Sequence, residues 1–347
     1  MIKNKWVWLV LFLVFSLALF GCQQTAPEPT ASVPTGSTPT GSSAPARSSQ
    51  EETEVPTQTS APTNLPMPTH TPVITAIPLV EQLNCGESFC QAAWPSALVR
   101  PISGEYRDTI DPTYPYASTK GGTLDVHYGV EFPNAFGTPV RAVADGLVVF
   151  AGQDDLTLLG PYTGFYGNVV ILRHPNFFQE RDLFSLYAHL SELDVKEGDQ
   201  LKAGDTLGKV GASGAADGSH LHFEIRIDEN NYRNTVNPVL WFSPTLNQNG
   251  SQLATLAGRI LDPTGEPLSE FDFVLEQQEK DVNEAERFYP VTYVPYGVNA
   301  HPLLGENFTL SDIPPGEYRL AFVAGRLYEF TVTIDPGSLG FIEIQLD

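Results

Sequence analysis

The stretch Ser219-His220-Leu221-His222-Phe223-Glu224 alternates polar and apolar side chains, the period-2 pattern of a β-strand. In that conformation His220 and His222 share one face, and Leu221 and Phe223 share the other. Two imidazoles one residue apart on a strand converge on one point. His-x-His alone carries little weight, because alternate residues share a face in any strand. A second cluster, His127-Tyr128-Gly129-Val130-Glu131, adds the weight. Its two ligand-capable side chains sit at an even offset, which predicts a common strand face. Three or four such groups aimed into one cleft predict a metal site.

The residues around these clusters read as β throughout. Pro139 to Ala144, Leu147 to Ala151 and Asn168 to His174 are short apolar runs, and Asp145-Gly146 marks a turn between the first two. No long helical period interrupts them, so the expected fold is mainly β, with an antiparallel sheet carrying both histidine clusters. Val195 to Gly211 reads as a further strand-turn-strand unit. Two connections, from Gln153 to Tyr166 and from Pro175 to Leu186, are expected to be long loops that wall a groove or tolerate insertions. His174 ends a strand, and His301 and His70 stand alone, so none of the three is assigned chemistry. Glu224 and Arg226 continue the face of His220 and His222, either supporting the site or forming a solvated edge.

Composition divides the rest of the chain. Lys3 and Lys5 precede an apolar run from Trp6 to Phe20, then Gly21. A basic start, about 15 apolar residues and a small residue before cleavage predict a signal peptide over 1–21, too short for a membrane span. Residues 22–84 are dominated by Pro, Thr and Ser and cannot bury enough apolar surface to offset ordering, so they read as a disordered tether. Its reach would be on the order of 100 Å. A further 35-residue extension, 85–119, opens with Cys85 and Cys90. In an exported chain with three cysteines these two predict a disulfide closing a small loop, with a metal pair as the alternative. The candidate catalytic domain then runs over 120–243, and after a polar joint, residues 252–347 form a second unit. Roughly seven short strands there predict a β-sandwich with a binding or spacer role. A net charge of −22, from 19 basic and 41 acidic residues, disfavours nucleic acid and anionic lipid surfaces, which need a basic face.

Taken together and in order, five motifs carry a resemblance. They are His127 to Phe132, Gly137 to Gly146, Tyr166-Gly167-Asn168, Tyr187-Ala188-His189-Leu190, and Gly218 to Glu224. With the hairpin from Val195 to Gly211, they make roughly residues 120–242 resemble the lysostaphin/LytM-type zinc metallopeptidases, a peptidoglycan endopeptidase family. The hairpin also occurs in biotin- and lipoyl-carrier domains, but Lys202 and Lys209 lack the setting of a modifiable lysine. The resemblance implies that His127, Glu131 and His222 hold Zn2+, with His189 and His220 beside the open position as catalytic residues. Either imidazole could take a proton and the other steady the developing oxyanion. It also implies peptide bonds of peptidoglycan stem or cross-bridge peptides as substrate.

One residue departs from the family pattern, which has Asp where this chain has Glu131. The extra methylene shifts the carboxylate by over an ångström, so the strand or the rotamer must compensate. The alternatives are that Asp125 substitutes, or that the chain is an inactive peptidoglycan-binding or hydrolase-activating module. Leu19-Phe20-Gly21-Cys22 resembles a bacterial lipobox, which implies lipidation of Cys22 and a membrane anchor on the outer cell surface, with plain secretion as the alternative. Residues 252–347 are similar to carboxypeptidase-regulatory or transthyretin-like β domains through Gly258-Arg259-Ile260 and Ile313-Pro314-Pro315-Gly316-Glu317-Tyr318.

Overall fold

The computed structural model describes residues 84–85, 89–93, 98–278 and 286–347. The signal peptide, Cys22 and almost all of the tether lie outside these residues. Within them the chain is mainly β, with antiparallel sheets. A short pair, β1 (Asn84–Cys85) and β2 (Phe89–Ala93), comes first. The histidine-bearing part follows as β3 (Val130–Pro133), β4 (Pro139–Arg141), β5 (Gly146–Gln153), β6 (Asn168–Phe178), β7 (Arg181–Ala188), β8 (Leu190–Leu193), β9 (Gln200–Leu201), β10 (Thr206–Val210), β11 (His220–Ile227) and β12 (Thr235–Val236). The last part holds β13 (Ala254–Leu261), β14 (Val274–Gln277), β15 (Arg287–Phe288), β16 (Phe308–Ile313), β17 (Gly316–Ala324), β18 (Arg326–Ile334) and β19 (Ser338–Gln345).

A seven-stranded antiparallel sheet has the order β12-β11-β7-β6-β5-β9, with β3 also paired to β11. A smaller sheet, β4-β10-β8, stands beside it. The alternation noted in β11 places Leu221, Phe223, Ile225 and Ile227 in one core with Phe132, Tyr187 and Val170. Burying side chains of this size contributes about 1.5–3 kcal/mol each. The opposite face of the large sheet is covered too, by Leu159, Tyr166, Val169, Ile171, Phe184 and Leu186. Glu224 and Arg226 are therefore fully buried, and the solvated-edge reading of them does not hold.

One expectation is corrected here, and one pairing was not foreseen. The connection from Pro175 to Leu186 is not a loop: β6 and β7 run on into it and join at Gln179-Glu180, both with positive φ (50° and 63°). That is the left-handed backbone of a tight two-residue hairpin turn, which Gly or Asn usually signals and which this sequence does not advertise. In the last part, β13 and β19 pair in parallel, although the rest of that pairing is antiparallel. The crossover is possible because roughly 80 residues separate the two strands, far more than a parallel connection needs.

The last part consists of a five-stranded sheet, β1-β2-β19-β13-β16, and a four-stranded sheet, β15-β14-β17-β18. Side chains from both fill one core, including Leu256, Ile342, Tyr318 and Val332. The β1–β2 pair thus belongs to this C-terminal sheet, and its register sets Cys85 opposite Cys90.

Candidate metal centre

The register of β3 against β11 makes the site. Glu131 lies directly across from His222, and Pro133 across from His220. Gly129 lets the strands close in. A Cβ at that position would stand 2.6 Å from His222 Cε1 and 2.7 Å from both its Nε2 and the Phe223 carbonyl, so only glycine fits. His127 is not on the strand, contrary to the expectation of a shared strand face, because β3 begins at Val130. Instead its backbone is held by residues 117 and 118: Ala117 N donates to His127 O at 2.7 Å, and His127 N to Ser118 O at 3.0 Å. The ring reaches the site from that bend.

Three atoms converge: His127 Nε2 and Glu131 Oε1 are 2.9 Å apart, His222 Nδ1 and Glu131 Oε1 3.0 Å, and the two ring nitrogens 3.3 Å. The far side of each ring is already used. His127 Nδ1 donates to the Tyr114 carbonyl at 2.7 Å, and His222 Nε2 donates to Glu224 at 3.1 Å. In the neutral tautomers these bonds impose, both inner nitrogens carry lone pairs, aimed at each other and at a carboxylate. Three acceptors facing one another repel unless a positive charge sits among them. Donors of a tetrahedral zinc ion, each at about 2.0–2.1 Å from it, stand roughly 3.3 Å apart, so the arrangement fits such an ion with little adjustment. Glu131 Oε2 is buried without a hydrogen bond; His220 Nε2 lies 3.1 Å away, off the line of one. Asp125 is not in the group, and its backbone carbonyl accepts from the Tyr114 hydroxyl.

The electrostatics agree with a cation site. Burial works to raise the Glu131 carboxyl, but the His222 and His127 imidazoles outweigh it and hold the group well below the usual carboxylate range. Burial likewise works against charge on His222, yet the Glu131 and Glu224 carboxylates push the ring up to about 9. A proton and a metal ion are alternative answers to the same demand for positive charge.

Behind His222 lies a buried network of Glu224, Arg226 and Tyr166, the last named above only as part of a motif. Glu224 accepts from the Tyr166 hydroxyl and pairs with Arg226 at 2.7 Å. Arg226 also donates to the Leu159 carbonyl and to Tyr166 Oη, both at 3.0 Å. Burial works to raise Glu224, but Arg226 and His222 hold it at about 2, so it stays an acceptor for the His222 ring. Tyr114, also unforeseen, stacks on His127 at 4.2 Å between ring centroids and 8° between planes.

His189 and His220 flank the donors, with ring centroids 4.9 Å apart, and His189 is 5.7 Å from His222. His189 forms the corner between β7 and β8 in the left-handed region, φ 60°. That conformation costs a side-chain-bearing residue about 1–2 kcal/mol and turns the ring toward the site. Its Nδ1 donates to Ser213 O at 2.8 Å, and burial holds the ring down to about 4, neutral with Nε2 free. His220 Nδ1 donates to Gly218 O at 3.0 Å. His174 is remote from this group: Nδ1 donates to Asp145 O and Nε2 accepts from Ser185, at 2.7 and 2.8 Å.

His127, Glu131 and His222 thus form a donor set that could hold a metal ion, with two further imidazoles on one side. Residues 125–238 match the model of Peptidase family M23. The DD-carboxypeptidase/endopeptidase Mpg of Neisseria meningitidis serogroup B is 39% identical over 123 residues, which cover 35% of this chain and 24% of that protein. The glycyl-glycine endopeptidase ALE-1 of Staphylococcus capitis is 40% identical over 98 residues, 28% of this chain and 24% of that one. The chain thus spans about a quarter of the length of these curated relatives. Among solved structures, the catalytic domain of lysostaphin from Staphylococcus simulans aligns at 31% identity and a TM-score of 0.31, over 39% of this chain and 90% of that one.

Proposed function

We propose that the protein is a zinc-dependent endopeptidase that hydrolyses peptide bonds in the stem or cross-bridge peptides of peptidoglycan. The observation that carries this reading is the convergence of His127 Nε2, Glu131 Oε1 and His222 Nδ1 within 3.3 Å. The names of the relatives, a DD-carboxypeptidase/endopeptidase and a glycyl-glycine endopeptidase, support the substrate class. His127, Glu131 and His222 would hold the ion. When bound, it polarises the scissile carbonyl and brings the pKa of a water toward ~7.

The chain's own residues do the rest. The Tyr114 carbonyl and Glu224 fix the tautomers of His127 and His222, so each presents a lone pair inward. His189, neutral and locked through Nδ1, can accept a proton at Nε2. His220, whose Nδ1 donates to the Gly218 carbonyl, presents its Nε2 on the same side and, as the imidazolium with both ring nitrogens protonated, can donate toward the developing oxyanion. The reading of an inactive binding module rests on a displaced Glu131 carboxylate, and here that carboxylate stands on both histidines.

The same proposal places the protein outside the cell, anchored to the membrane through lipidated Cys22, with the Pro/Thr/Ser-rich segment presenting the catalytic domain to the wall. It includes a disulfide between Cys85 and Cys90, whose backbones face each other. Metal analysis of the purified protein and release of amino groups from isolated peptidoglycan test the activity. About one zinc per chain and new amino groups, both abolished in His222→Ala, are expected. Absence of zinc together with no release from the wild type refutes the proposal.

A further inference from the structure

The segment 107–118 runs between the metal ligands and the C-terminal sheets and touches both. On the ligand side, Asp111 N donates to Glu131 O at 2.9 Å, Ala117 N donates to His127 O, and the Tyr114 carbonyl orients the His127 ring. Two of the three ligands therefore have their backbone carbonyls held by this strap, which also orients the ring of one. The segment forms no strand or helix, so its own conformation depends on what it leans against.

What it leans against is C-terminal. Ile110 N donates to Asp312 Oδ2 at 2.9 Å, and Asp312 is itself fixed by Arg100 at 2.6 and 3.0 Å. Val294 N donates to Ala117 O at 3.1 Å, the residue whose amide holds His127. Tyr116, 2% exposed, packs edge-on against Tyr293 at 5.6 Å. Its hydroxyl lies 3.0 Å from Thr235 O, 3.1 Å from Asn299 O and 3.2 Å from Asn299 N. The Asn299 side chain donates to Arg233 O and Thr235 O at 2.8 and 2.9 Å, tying the 292–301 segment to β12, the strand next to β11.

We propose that the C-terminal part is built into the metal centre, and that Tyr116 is a positioning residue that transmits its hold to His127 and Glu131. This rests on the metal reading above. Zinc–donor distances tolerate only about ±0.2 Å, so a strap free to shift by an ångström would spoil two donors at once. The C-terminal sheets are then no spacer, and the strap is how they act on a site they do not enter.

The test measures zinc affinity of the full chain by competition with a chromophoric chelator. It compares Tyr116→Phe, which keeps the ring and removes the hydroxyl contacts, and Asn299→Ala with Arg319→Gln. Arg319 pairs with Glu276 and Glu329 on the same C-terminal sheets without touching the strap. Tyr116→Phe and Asn299→Ala are expected to weaken zinc binding ~10–100-fold, the range for residues that orient ligands, while Arg319→Gln binds as wild type. In the zinc-free protein, amide exchange at Ala117 and His127 should quicken in Tyr116→Phe and Asn299→Ala but not in Arg319→Gln. Unchanged affinity in both strap variants overturns the proposal, as does an equal loss in Arg319→Gln, which would mark a general destabilisation. A wild type that binds no zinc overturns the metal reading itself, a result distinct from wild-type binding with insensitive strap variants.

Discussion

Substituting Gly129 by alanine should disarm the metal site through one methyl group. The new Cβ would stand 2.6 and 2.7 Å from Cε1 and Nε2 of His222, where ordinary contact begins at 3.4 Å. The ring must therefore retreat by roughly 0.7–0.8 Å, several times the zinc–donor tolerance of about ±0.2 Å. It has nowhere to go without breaking the bond from Nε2 to Glu224, and the third close atom, the Phe223 carbonyl, belongs to the β11 backbone. Overpacking of this kind costs about 1–3 kcal/mol of stability. Losing the His222 donor should weaken zinc binding at least ~100-fold, or about 2.7 kcal/mol. Chelator competition at neutral pH reads the affinity, and melting curves in EDTA show whether the variant still folds. A folded Gly129→Ala protein that binds zinc within about threefold of wild type would refute the placement of the His222 ring against this glycine.

Other outcomes follow from the same geometry. His189→Ala should keep its zinc and lose activity by ~10²–10⁴-fold, the usual worth of a proton-handling group; loss of zinc instead would make His189 a ligand. Glu131→Gln should lose most of its zinc because it removes the charge that two imidazoles face, and a full zinc complement would contradict that. Burial holds His174 at about 4 against an unfolded value near 6.5, so between those pH values the unfolded chain carries a proton the folded one lacks. Stability from this residue is complete above ~6.5 and falls by about 3 kcal/mol as pH drops to ~4; urea titrations of wild type and His174→Gln should differ in pH slope across that window, and equal slopes would count against it. Replacing Gln179-Glu180 by Asn-Gly should raise stability by about 0.5–1 kcal/mol, since both positions have positive φ; a lower urea midpoint would show that the turn differs.

The alternation in Ser219 to Glu224 foretold strand β11, on which His222 lies beside His127 and Glu131. Register was not legible: nothing in the 90 residues between Glu131 and His222 announces that they lie directly opposite. The even spacing of His127 and Glu131 suggested a strand face, yet His127 sits before the strand, because a bend held by residues 117 and 118 delivers its ring. Tyr114 escaped notice because it acts through a backbone carbonyl and a flat ring face, neither of which leaves a residue-type signature. The Gln179-Glu180 turn escaped for a similar reason, having neither Gly nor Asn to mark its backbone. The strap's reliance on Asp312, Val294 and Asn299 joins residues some 180–200 positions apart, and only folded coordinates show such pairings.

Crystals grown with zinc and measured on both sides of the zinc absorption edge would give the most direct test. The structure predicts one anomalous peak bounded by His127 Nε2, Glu131 Oε1 and His222 Nδ1, with His189 and His220 facing its open side. No peak there, or a Glu131 carboxylate turned away from both histidines, would contradict the assignment of these three residues as the metal-binding set.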